Sequence, residues 1–390
     1  MEKRVCSDQH SGEPPGIFTG SELVTSYGVG SLTGFVDRDN KETTVETLRF
    51  GCVGCGGMGT LHVLNSKHVP GMEIVAYADI DREKADKFLE DFGGKYATDD
   101  PQEIFADVDI DGVLIQTGER SHPTLGIAAA RAGKHIFMEK PIAVTVDEAL
   151  NLENVVRQEG VKYLIGLCNR LAPGVKRAKQ LLPHPWITFG QCTDTVSGQA
   201  CHNLDLIVHK FHEAPLVSVY ATGGHYYGLD SHLPADSFVA TLRFADNSQA
   251  CYIQHGKAYN ALMSKYSFQL FGGDRCVFLS KRFKECHLST SLTSPDISTI
   301  FSGPDFSPSD PDAHLTNVRG PYGYMGHYDE IVALCAAIRD DVDPPMTVEH
   351  GRHVLQVEKA IFESLTTGKV IDYSEFLSRW GTTQPQNSGE

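Results

Sequence analysis

The feature that most constrains this chain is a glycine-rich turn directly after a short apolar run. Residues 48–53 have the pattern of a buried strand, and glycines then recur at the spacing G-x-G-x-x-G. In such a unit the first glycine permits a tight turn, the second lets the backbone approach a pyrophosphate, and the third lets the next helix pack closely on the strand. The free N–H groups at the start of that helix favour a bound phosphate. We therefore predict a dinucleotide site formed by Gly54, Cys55, Gly56, Gly57, Met58 and Gly59.

An acidic residue at the end of the next predicted strand supports this interpretation. Residues 72–78 form a second apolar run, and Asp79 follows it, about 20 residues after the last glycine. A carboxylate at this place accepts hydrogen bonds from the adenosine ribose and repels a 2′-phosphate, so it predicts NAD rather than NADP. Arg82 is close enough in sequence to leave NADP as the alternative. Without a ligand, the glycines would serve only to pack a helix on a strand.

Alternating strand and helix patterns continue to residue 168 and predict βαβ units with a parallel sheet. The predicted helices cover residues 82–92, 123–132 and 146–159, and the predicted strands cover residues 112–116, 135–138 and 162–167. In an open α/β sheet, ligands bind beyond the carboxyl ends of the strands. Thr117 and the Glu139-Lys140-Pro141 segment each follow a predicted strand, so we expect them to face the cofactor.

The pattern changes after residue 168. Antiparallel strands are predicted at residues 216–222, 237–244, 249–254 and 266–271, helices at 173–182, 327–339 and 348–366, and a long loop at 289–321. The predicted fold class is therefore α/β, with a Rossmann domain at residues 48–168 and an α+β domain at residues 169–373 that contains a large, mostly antiparallel open sheet. Residues 1–47 are predicted to be a partly disordered extension, and residues 374–390 a tail.

Composition excludes several classes of partner. The chain has 390 residues, 41% of them hydrophobic and 22% charged, which is typical of a globular protein. Its net charge of −16 disfavours nucleic acid and anionic membranes, and no apolar run approaches the length of a membrane span. No signal peptide is recognisable, so the ten cysteines are expected to be reduced thiols in a cytoplasmic protein. Cys52 and Cys55 straddle the glycine turn, where a redox or zinc role would compete with the pyrophosphate.

Together these motifs resemble the Gfo/Idh/MocA family, the group of glucose–fructose oxidoreductase and inositol dehydrogenase. The resemblance extends over residues 48–373 and rests on the glycine turn, Asp79, the sequence AGKHIFMEKP at residues 132–141 and the sequence CHNLD at residues 201–205. It implies a Rossmann domain joined to an antiparallel-sheet domain, a bound NAD or NADP, and a sugar, a cyclitol or a keto form as substrate. It also implies a homodimer or homotetramer formed through the outer face of the second sheet.

The resemblance gives individual residues a role. Lys140 matches a lysine near the nicotinamide and the reacting carbinol, His202 a histidine near the substrate hydroxyl, and His122 a position near the cofactor. A neutral His202 can take the hydroxyl proton, and Lys140 can stabilise negative charge on the same oxygen. The structural alternatives are a solvated loop lysine and a packed or capping histidine. Glu139 is expected to contact the ribose or to brace Lys140.

Arg170 and Asp205 are predicted to contact the substrate. Arg170 follows the last predicted parallel strand, and Asp205 lies one turn after His202. The alternatives are that Arg170 ties the two domains together and that Asp205 forms a structural ion pair or cap. His202, Asp205 and His209 would also suit a metal ion if they shared one helix face. The resemblance is against a metal, and none is predicted.

One position departs from the family pattern. Gly198 stands where family dehydrogenases often have an aspartate, four residues before the histidine. The leading hypothesis is an NAD(P)-dependent dehydrogenase that acts on a CH–OH group of a sugar or an inositol-like cyclitol. Two alternatives remain open. An NAD-recycling lyase or glycosidase of the same family would not accumulate NADH, and a catalytically impaired nucleotide- and sugar-binding regulator would bind cofactor without turnover.

Overall fold

A computed structural model describes residues 45–196, 198–229, 232–256, 265–290, 298–302 and 325–385. The predicted N-terminal extension lies outside the described residues up to residue 44, and so does the end of the predicted tail, residues 386–390. In the part of the chain that the structure describes, every helix is too short or too polar to cross a lipid bilayer.

The first half of the chain alternates strands and helices, as predicted. Its elements are β1 Leu48–Val53, α1 Gly57–Ser66, β2 Met72–Ala78, α2 Arg82–Phe92, β3 Tyr96–Thr98, α3 Pro101–Ala106, β4 Gly112–Ile115, α4 His122–Arg131, β5 His135–Met138, α5 Val146–Glu159 and β6 Tyr163–Ile165. The six strands pair in the order β3-β2-β1-β4-β5-β6, and every pair is parallel. Chain order reverses between β1 and β4, which is where an open α/β sheet binds ligands.

Local sequence explains where a helix of this half begins and ends. Thr145 and Glu148 form a reciprocal capping box at the start of α5. Gly160 ends the helix with a left-handed backbone, a conformation that glycine adopts at little cost. These signals explain why the prediction of this helix from the sequence was accurate.

The second half contains a larger sheet. Its elements are a 3₁₀ turn Cys168–Leu171, α6 Pro173–Leu181, β7 Ile187–Thr193, α7 Ala200–Asp205, a π-helical segment Leu206–Phe211, β8 Leu216–Gly224, β9 Ser237–Phe244, β10 Gln249–His255, β11 Tyr266–Gly272, β12 Arg275–Ser280, β13 Glu285–Ser289, β14 Ser298–Ser302, α8 His327–Asp340, α9 Val348–Thr367, β15 Ile371–Asp372 and α10 Tyr373–Ser378. Among the described residues its strands pair in the order β14-β13-β12-β11-β7-β10-β9-β8-β15. Only the β7–β10 pair is parallel there, so the predicted mostly antiparallel sheet is confirmed.

Five strands of this sheet, β7, β12, β13, β14 and β15, were not predicted from the sequence, and the reasons are clearest for β14 and β7. The predicted loop at residues 289–321 contains β14, while residues 303–324 lie outside the described part of the chain. β14 is short and hydroxyl-rich, so alternation alone gives it little signal. β7 was not predicted because Gly190 interrupts its pattern. A Cβ atom at Gly190 would lie 2.6 Å from the ring of Phe268, so the neighbouring strand requires the glycine.

One hydrophobic core runs through both sheets, and a buried ion pair joins two helices across it. Arg352 of α9 binds Glu153 of α5 and donates to the Gln356 Oε1 atom at 2.6 Å. Glu153 also binds Arg157 at 3.0 Å. The side chains of Arg352 and Glu153 are each 5% exposed, so the pair is shielded from water.

The Arg352→Met substitution is expected to destabilise the protein because it leaves the buried Glu153 carboxylate with Arg157 alone. We expect the free energy of unfolding to fall by about 3 kcal/mol, near the lower end for breaking a buried pair. Urea unfolding followed by circular dichroism measures it. Lys87→Met is the control, since Lys87 and Asp91 form an exposed i,i+4 pair on α2 worth only about 0.5 kcal/mol. Equal losses in the two variants would contradict a structural role for the Arg352–Glu153 pair.

Candidate active site

The backbone of the glycine turn fits the approach of a pyrophosphate. Gly54 has φ +102°, and a Cβ atom there would lie 2.6 Å from the carbonyl oxygen of Gln116. A Cβ atom at Gly59 would lie 2.2 Å from the carbonyl oxygen of Gly54, so α1 packs on the turn through bare backbone. At Gly56 no described atom lies within 4 Å of the added Cβ. Gly54 and Gly59 are therefore required by packing, whereas the space at Gly56 is open to a ligand.

Asp79 is connected to this turn by hydrogen bonds. Its Oδ2 atom accepts the Cys55 N–H at 2.8 Å, and its Oδ1 atom accepts the Asp81 N–H at 3.0 Å. A carboxylate has about four acceptor positions, so each oxygen can still accept a ribose hydroxyl. The Arg82 Nε atom instead donates to the Asp86 Oδ1 atom at 2.9 Å on the exposed face of α2.

The other predicted residues of the turn differ in which of their atoms are accessible to a ligand. Gly57 and Met58 are exposed at the start of α1, with the Met58 side chain 37% exposed. The Cys55 thiol is buried and lies 3.6 Å from the carbonyl oxygen of Ala78, so only the backbone of Cys55 is available to a ligand. The Cys52 thiol is also buried. Its hydrogen bond with Cys55 and its burial raise its pKa well above the ordinary value.

Thr117 and His122 lie at the carboxyl edge of the parallel sheet, as predicted. The Thr117 and Ser121 hydroxyls are 2.8 Å apart. The His122 ring nitrogens lie 2.7 Å from the carbonyl oxygen of Pro141 and 3.1 Å from that of Thr117. Because both nitrogens face backbone oxygens, His122 connects the segments after β4 and β5. Contact of His122 with the cofactor stays a prediction.

Glu139 braces the segment that carries Lys140. Its Oε1 atom lies 2.8 Å from the His62 Nε2 atom, and its Oε2 atom accepts the backbone N–H of Lys140 at 3.1 Å. Burial opposes ionisation of Glu139, but the hydrogen bond and charge of His62, together with Lys140 and His327, lower its pKa to about 2. The sequence analysis missed His62, because an inward-facing histidine on α1 cannot be distinguished from a core residue by pattern.

A second buried carboxyl group, also missed, lies behind Glu139. Glu330 of α8 is fully buried, with its Oε1 atom 4.0 Å from the His62 Nε2 atom. Neither of its oxygens has a hydrogen-bond partner among the described residues. Burial raises the pKa of Glu330 well above its ordinary value, and the nearby Glu139 and Asp329 charges raise it further. Of the two carboxyl groups, Glu139 therefore ionises first and Glu330 keeps its proton to a higher pH.

Lys140 reaches from β5 towards the segment that precedes α7. Its Nζ atom donates to the carbonyl oxygen of Gly198 at 2.9 Å. Burial disfavours its ammonium form, but the neighbouring Cys201 thiol and Glu139 carboxylate outweigh this, and the pKa of Lys140 is raised. The side chain is therefore a cation at neutral pH, placed where the parallel sheet meets the second domain.

His202 lies on α7, four residues after Gly198, and is 6% exposed. Its ring stands edge-on to Tyr266, with centroids 6.3 Å apart. Burial lowers the pKa of His202 well below its ordinary value, and the positive charges of Lys140 and Lys265 lower it further. Its Nδ1 atom is buried and has no hydrogen-bond partner among the described residues. The site thus combines a neutral imidazole with a nearby ammonium group.

Arg170 and Asp205 bind each other. The guanidinium of Arg170 binds both carboxylate oxygens of Asp205, one of them at 3.0 Å, and donates to the carbonyl oxygen of Pro345 at 2.9 Å. Arg170 is 6% exposed and Asp205 is fully buried. This geometry favours the structural alternative, in which the pair ties elements of the second half together. Substrate contact by either residue stays a prediction that the geometry does not support.

The three residues considered for a metal ion have separate partners. Asp205 pairs with Arg170, and the His209 Nε2 atom lies 3.1 Å from the His353 Nδ1 atom, while His202 stands beside Tyr266. Within the described ranges, no group of three or more His, Cys, Asp or Glu side chains is arranged to hold a metal ion.

Comparison with known proteins agrees with this geometry. Residues 48–167 match the GFO_IDH_MocA family model, described as an oxidoreductase family with an NAD-binding Rossmann fold. An uncharacterized oxidoreductase, YrbE of Bacillus subtilis, is 33% identical over 132 residues, which are 34% of this chain and 39% of the relative. Myo-inositol 2-dehydrogenase of Thermotoga maritima is 29% identical over 133 residues, 34% of this chain and 40% of the relative. The chain therefore aligns with less than half the length of these relatives.

Solved structures resemble the chain over a longer range. Levoglucosan dehydrogenase in complex with NADH and L-sorbose has a TM-score of 0.71 at 20% identity, covering 84% of this chain and 99% of that one. An oxidoreductase domain protein from Kribbella flavida has a TM-score of 0.72 at 17% identity, covering 84% of this chain and 100% of that one. At these identities the likeness concerns the fold of both halves. Together with the family match at residues 48–167, which contain the glycine turn, this likeness supports a Gfo/Idh/MocA oxidoreductase.

Proposed function

We propose that this protein is an NAD-dependent dehydrogenase that oxidises a secondary alcohol of a sugar or cyclitol, or reduces the corresponding ketone. One observation carries the proposal. The Lys140 ammonium group, at the carboxyl edge of the parallel sheet, binds the carbonyl oxygen of Gly198, and this places it beside the helix that carries His202. A neutral proton acceptor and a cation therefore lie together next to the predicted nucleotide site.

The nicotinamide, when bound, supplies the hydride acceptor. The chain supplies the remaining groups. His202 is neutral because of its burial, so its imidazole can take the hydroxyl proton. Lys140 donates hydrogen bonds to the same oxygen and stabilises the negative charge that develops on it. Glu139 holds the backbone N–H of Lys140, and His62 holds Glu139, so the base of the lysine side chain is fixed.

The printed names of the relatives support the substrate class. They include inositol 2-dehydrogenases and a levoglucosan dehydrogenase, all acting on polyhydroxylated rings. The net charge is −16, and none of the helices in the described residues could cross a membrane. Both fit an enzyme that acts on a small molecule in the cytoplasm, which we propose as its location.

The proposal is tested by NADH formation, followed by absorbance, across a panel of cyclitols and aldoses. Turnover of one substrate that is lost in Lys140→Met supports the dehydrogenase. Conversion of a substrate without NADH accumulation, with the nucleotide retained, would favour the NAD-recycling lyase or glycosidase. Tight NAD binding with no chemistry would favour the regulator.

Replacing the two proposed catalytic side chains should lower activity to different extents. We expect His202→Asn to reduce kcat by about 10²- to 10⁴-fold, as for loss of a general base. Lys140→Met should reduce kcat by about 10²- to 10³-fold, as for loss of one charge-stabilising donor. Lys87→Met, which alters an exposed lysine, is the control and should leave kcat unchanged.

The pH dependence of wild-type kcat/KM provides a second readout of the same assignment. A histidine with a lowered pKa stays neutral until the pH falls below 6.5, the ordinary value, so the base is still present there. The acid limb of kcat/KM should therefore have its midpoint below pH 6.5. A midpoint at or above that value would contradict His202 as the base.

Asp79→Ser should weaken discrimination between NAD and NADP. The substitution removes a carboxylate that accepts ribose hydroxyls and repels a 2′-phosphate. NAD binding, measured by calorimetry, should weaken by roughly 10- to 100-fold, the effect of losing charged hydrogen bonds, while NADP binding does not weaken. Asp86→Ser, on the exposed face of α2, is the control. Unchanged NAD affinity in Asp79→Ser would contradict the ribose contact.

We also propose that the protein forms a homodimer or homotetramer through the outer face of the second sheet. Ile187, Phe189, Tyr220, Val239 and Ile253 on that face are each between 38% and 45% exposed. Ile253 pairs with Val239 across β10 and β9, so two of these apolar side chains are direct neighbours. A contiguous exposed apolar patch of this kind is typical of a protein–protein interface.

The double substitution Val239→Arg and Ile253→Arg should convert the oligomer to a monomer, because it places two like charges in the apolar patch. Sedimentation velocity measures the mass of each species. Val108→Arg introduces a charge at a side chain that is 92% exposed in the first half of the chain, and it should leave the oligomer intact. A wild-type monomer at micromolar concentration would rule out the interface.

A further inference from the structure

The Lys140 side chain is part-buried, and no carboxylate among the described residues accepts a hydrogen bond from its ammonium group. Its only hydrogen-bond acceptor among the described residues is the neutral carbonyl oxygen of Gly198. An ammonium group has three N–H donors, so two have no acceptor in the described part of the chain. A buried cation is stable only when hydrogen bonds and an opposite charge compensate for the lost water.

The carboxylates near the site already have their own partners. Glu139 binds His62 and the backbone N–H of Lys140. The Asp194 Oδ2 atom lies 2.5 Å from the Lys265 Nζ atom at the end of β7. Glu139 and Asp194 therefore do not accept either of the two remaining Lys140 donors.

The backbone beside Lys140 leaves room where a compensating side chain could stand. Gly198 has φ +72°, and the nearest described atom to a Cβ added there is the Pro141 Cδ atom, 3.9 Å away. Asp and Asn are among the residues that tolerate a positive φ. An aspartate at this position would thus be accommodated beside Lys140, but the chain has a glycine.

A cavity of about 110 Å³ opens on this side of Lys140. Its lining includes Gly198 and Cys201, and its charged lining residues are Lys140, Arg120, Lys359, Glu119 and Glu358. Three cations against two carboxylates leave one positive charge in excess. The volume corresponds to roughly four water molecules, enough for a carboxylate group and its neighbouring carbon atoms.

We propose, on the basis of the proposed function, that the substrate is a polyhydroxy carboxylate of the uronic or aldonic acid type, whose carboxylate binds the Lys140 ammonium group in the space beside Gly198. The three ammonium donors are then shared among the carbonyl oxygen of Gly198, the substrate carboxylate and the reacting oxygen. The substrate carboxylate then accepts a hydrogen bond from a Lys140 donor for which the described residues offer no acceptor.

The test compares acids with their neutral counterparts in the wild-type enzyme. D-glucuronate is paired with D-glucose, and D-gluconate with D-glucitol. The preferred acid should have a kcat/KM at least about 10-fold above that of its neutral counterpart, the effect of one charge-assisted bond. Which pair responds distinguishes a uronic from an aldonic acid.

Two variants at one position separate charge from backbone strain. Gly198→Asp places a carboxylate beside Lys140 and should lower kcat/KM for the acid by about 100-fold, because like charges then face each other. Gly198→Asn has the same size and the same tolerance of positive φ without the charge, and it should keep the preference for the acid. Equal behaviour of the two variants would overturn the proposal.

A binding measurement makes the test independent of turnover. Calorimetry of the wild-type protein loaded with NADH should show tighter binding of D-glucuronate or D-gluconate than of the neutral counterpart, and Gly198→Asp should abolish the difference. Oxidation of neutral sugars with no preference for acids would overturn this proposal and leave the dehydrogenase intact. Selective acid binding with no NADH formed from any substrate would support it while contradicting the dehydrogenase.

Discussion

The nucleotide half of this protein depends on one contact between backbones, where α1 packs against the turn that follows β1. Gly59 allows this approach because any side chain would meet the carbonyl oxygen of Gly54. The contact fixes the direction of α1, and with it the free N–H groups at the start of that helix. The hydrogen bond from the Cys55 N–H to Asp79 then connects the same turn to β2. The phosphate end and the ribose end of the predicted nucleotide site are therefore one rigid unit.

A chain of polar contacts, the first of them buried, extends this unit to the proposed reaction centre. His62 on α1 binds Glu139, Glu139 holds the backbone of Lys140, and Lys140 binds the carbonyl oxygen of Gly198 in the second half. The His62–Glu139 contact is buried, which strengthens it, while the two contacts of Lys140 are part-buried. The helix that presents the nucleotide site and the segment before His202 are thus coupled through named hydrogen bonds rather than through general packing.

Most of the fold could be predicted from the sequence because its signals are local. The glycine spacing, the strand–helix alternation and the caps of helices such as α5 each depend on neighbouring residues. Five strands of the second sheet were not predicted. Among them, β7 contains Gly190, which the ring of Phe268 on another strand requires, and β14 is held by its pairing with β13. In the site, Lys140 and Asp79 were predictable from motifs. His62 and Glu330 were not, because only tertiary structure brings them together. Arg170 and Asp205 were predicted from their positions to contact the substrate, and the structure shows that they pair with each other.

The continuous hydrophobic core between the two sheets has a consequence for how the protein moves. A large apolar contact between two halves of a chain resists their rotation as separate bodies. Lys140 and His202 lie at the boundary between these halves, where a hinge would otherwise open. Entry and release of a small molecule should therefore proceed through local displacement of surface segments. The rate at which such a segment opens, rather than a rotation of domains, would then limit how fast this protein exchanges its ligands.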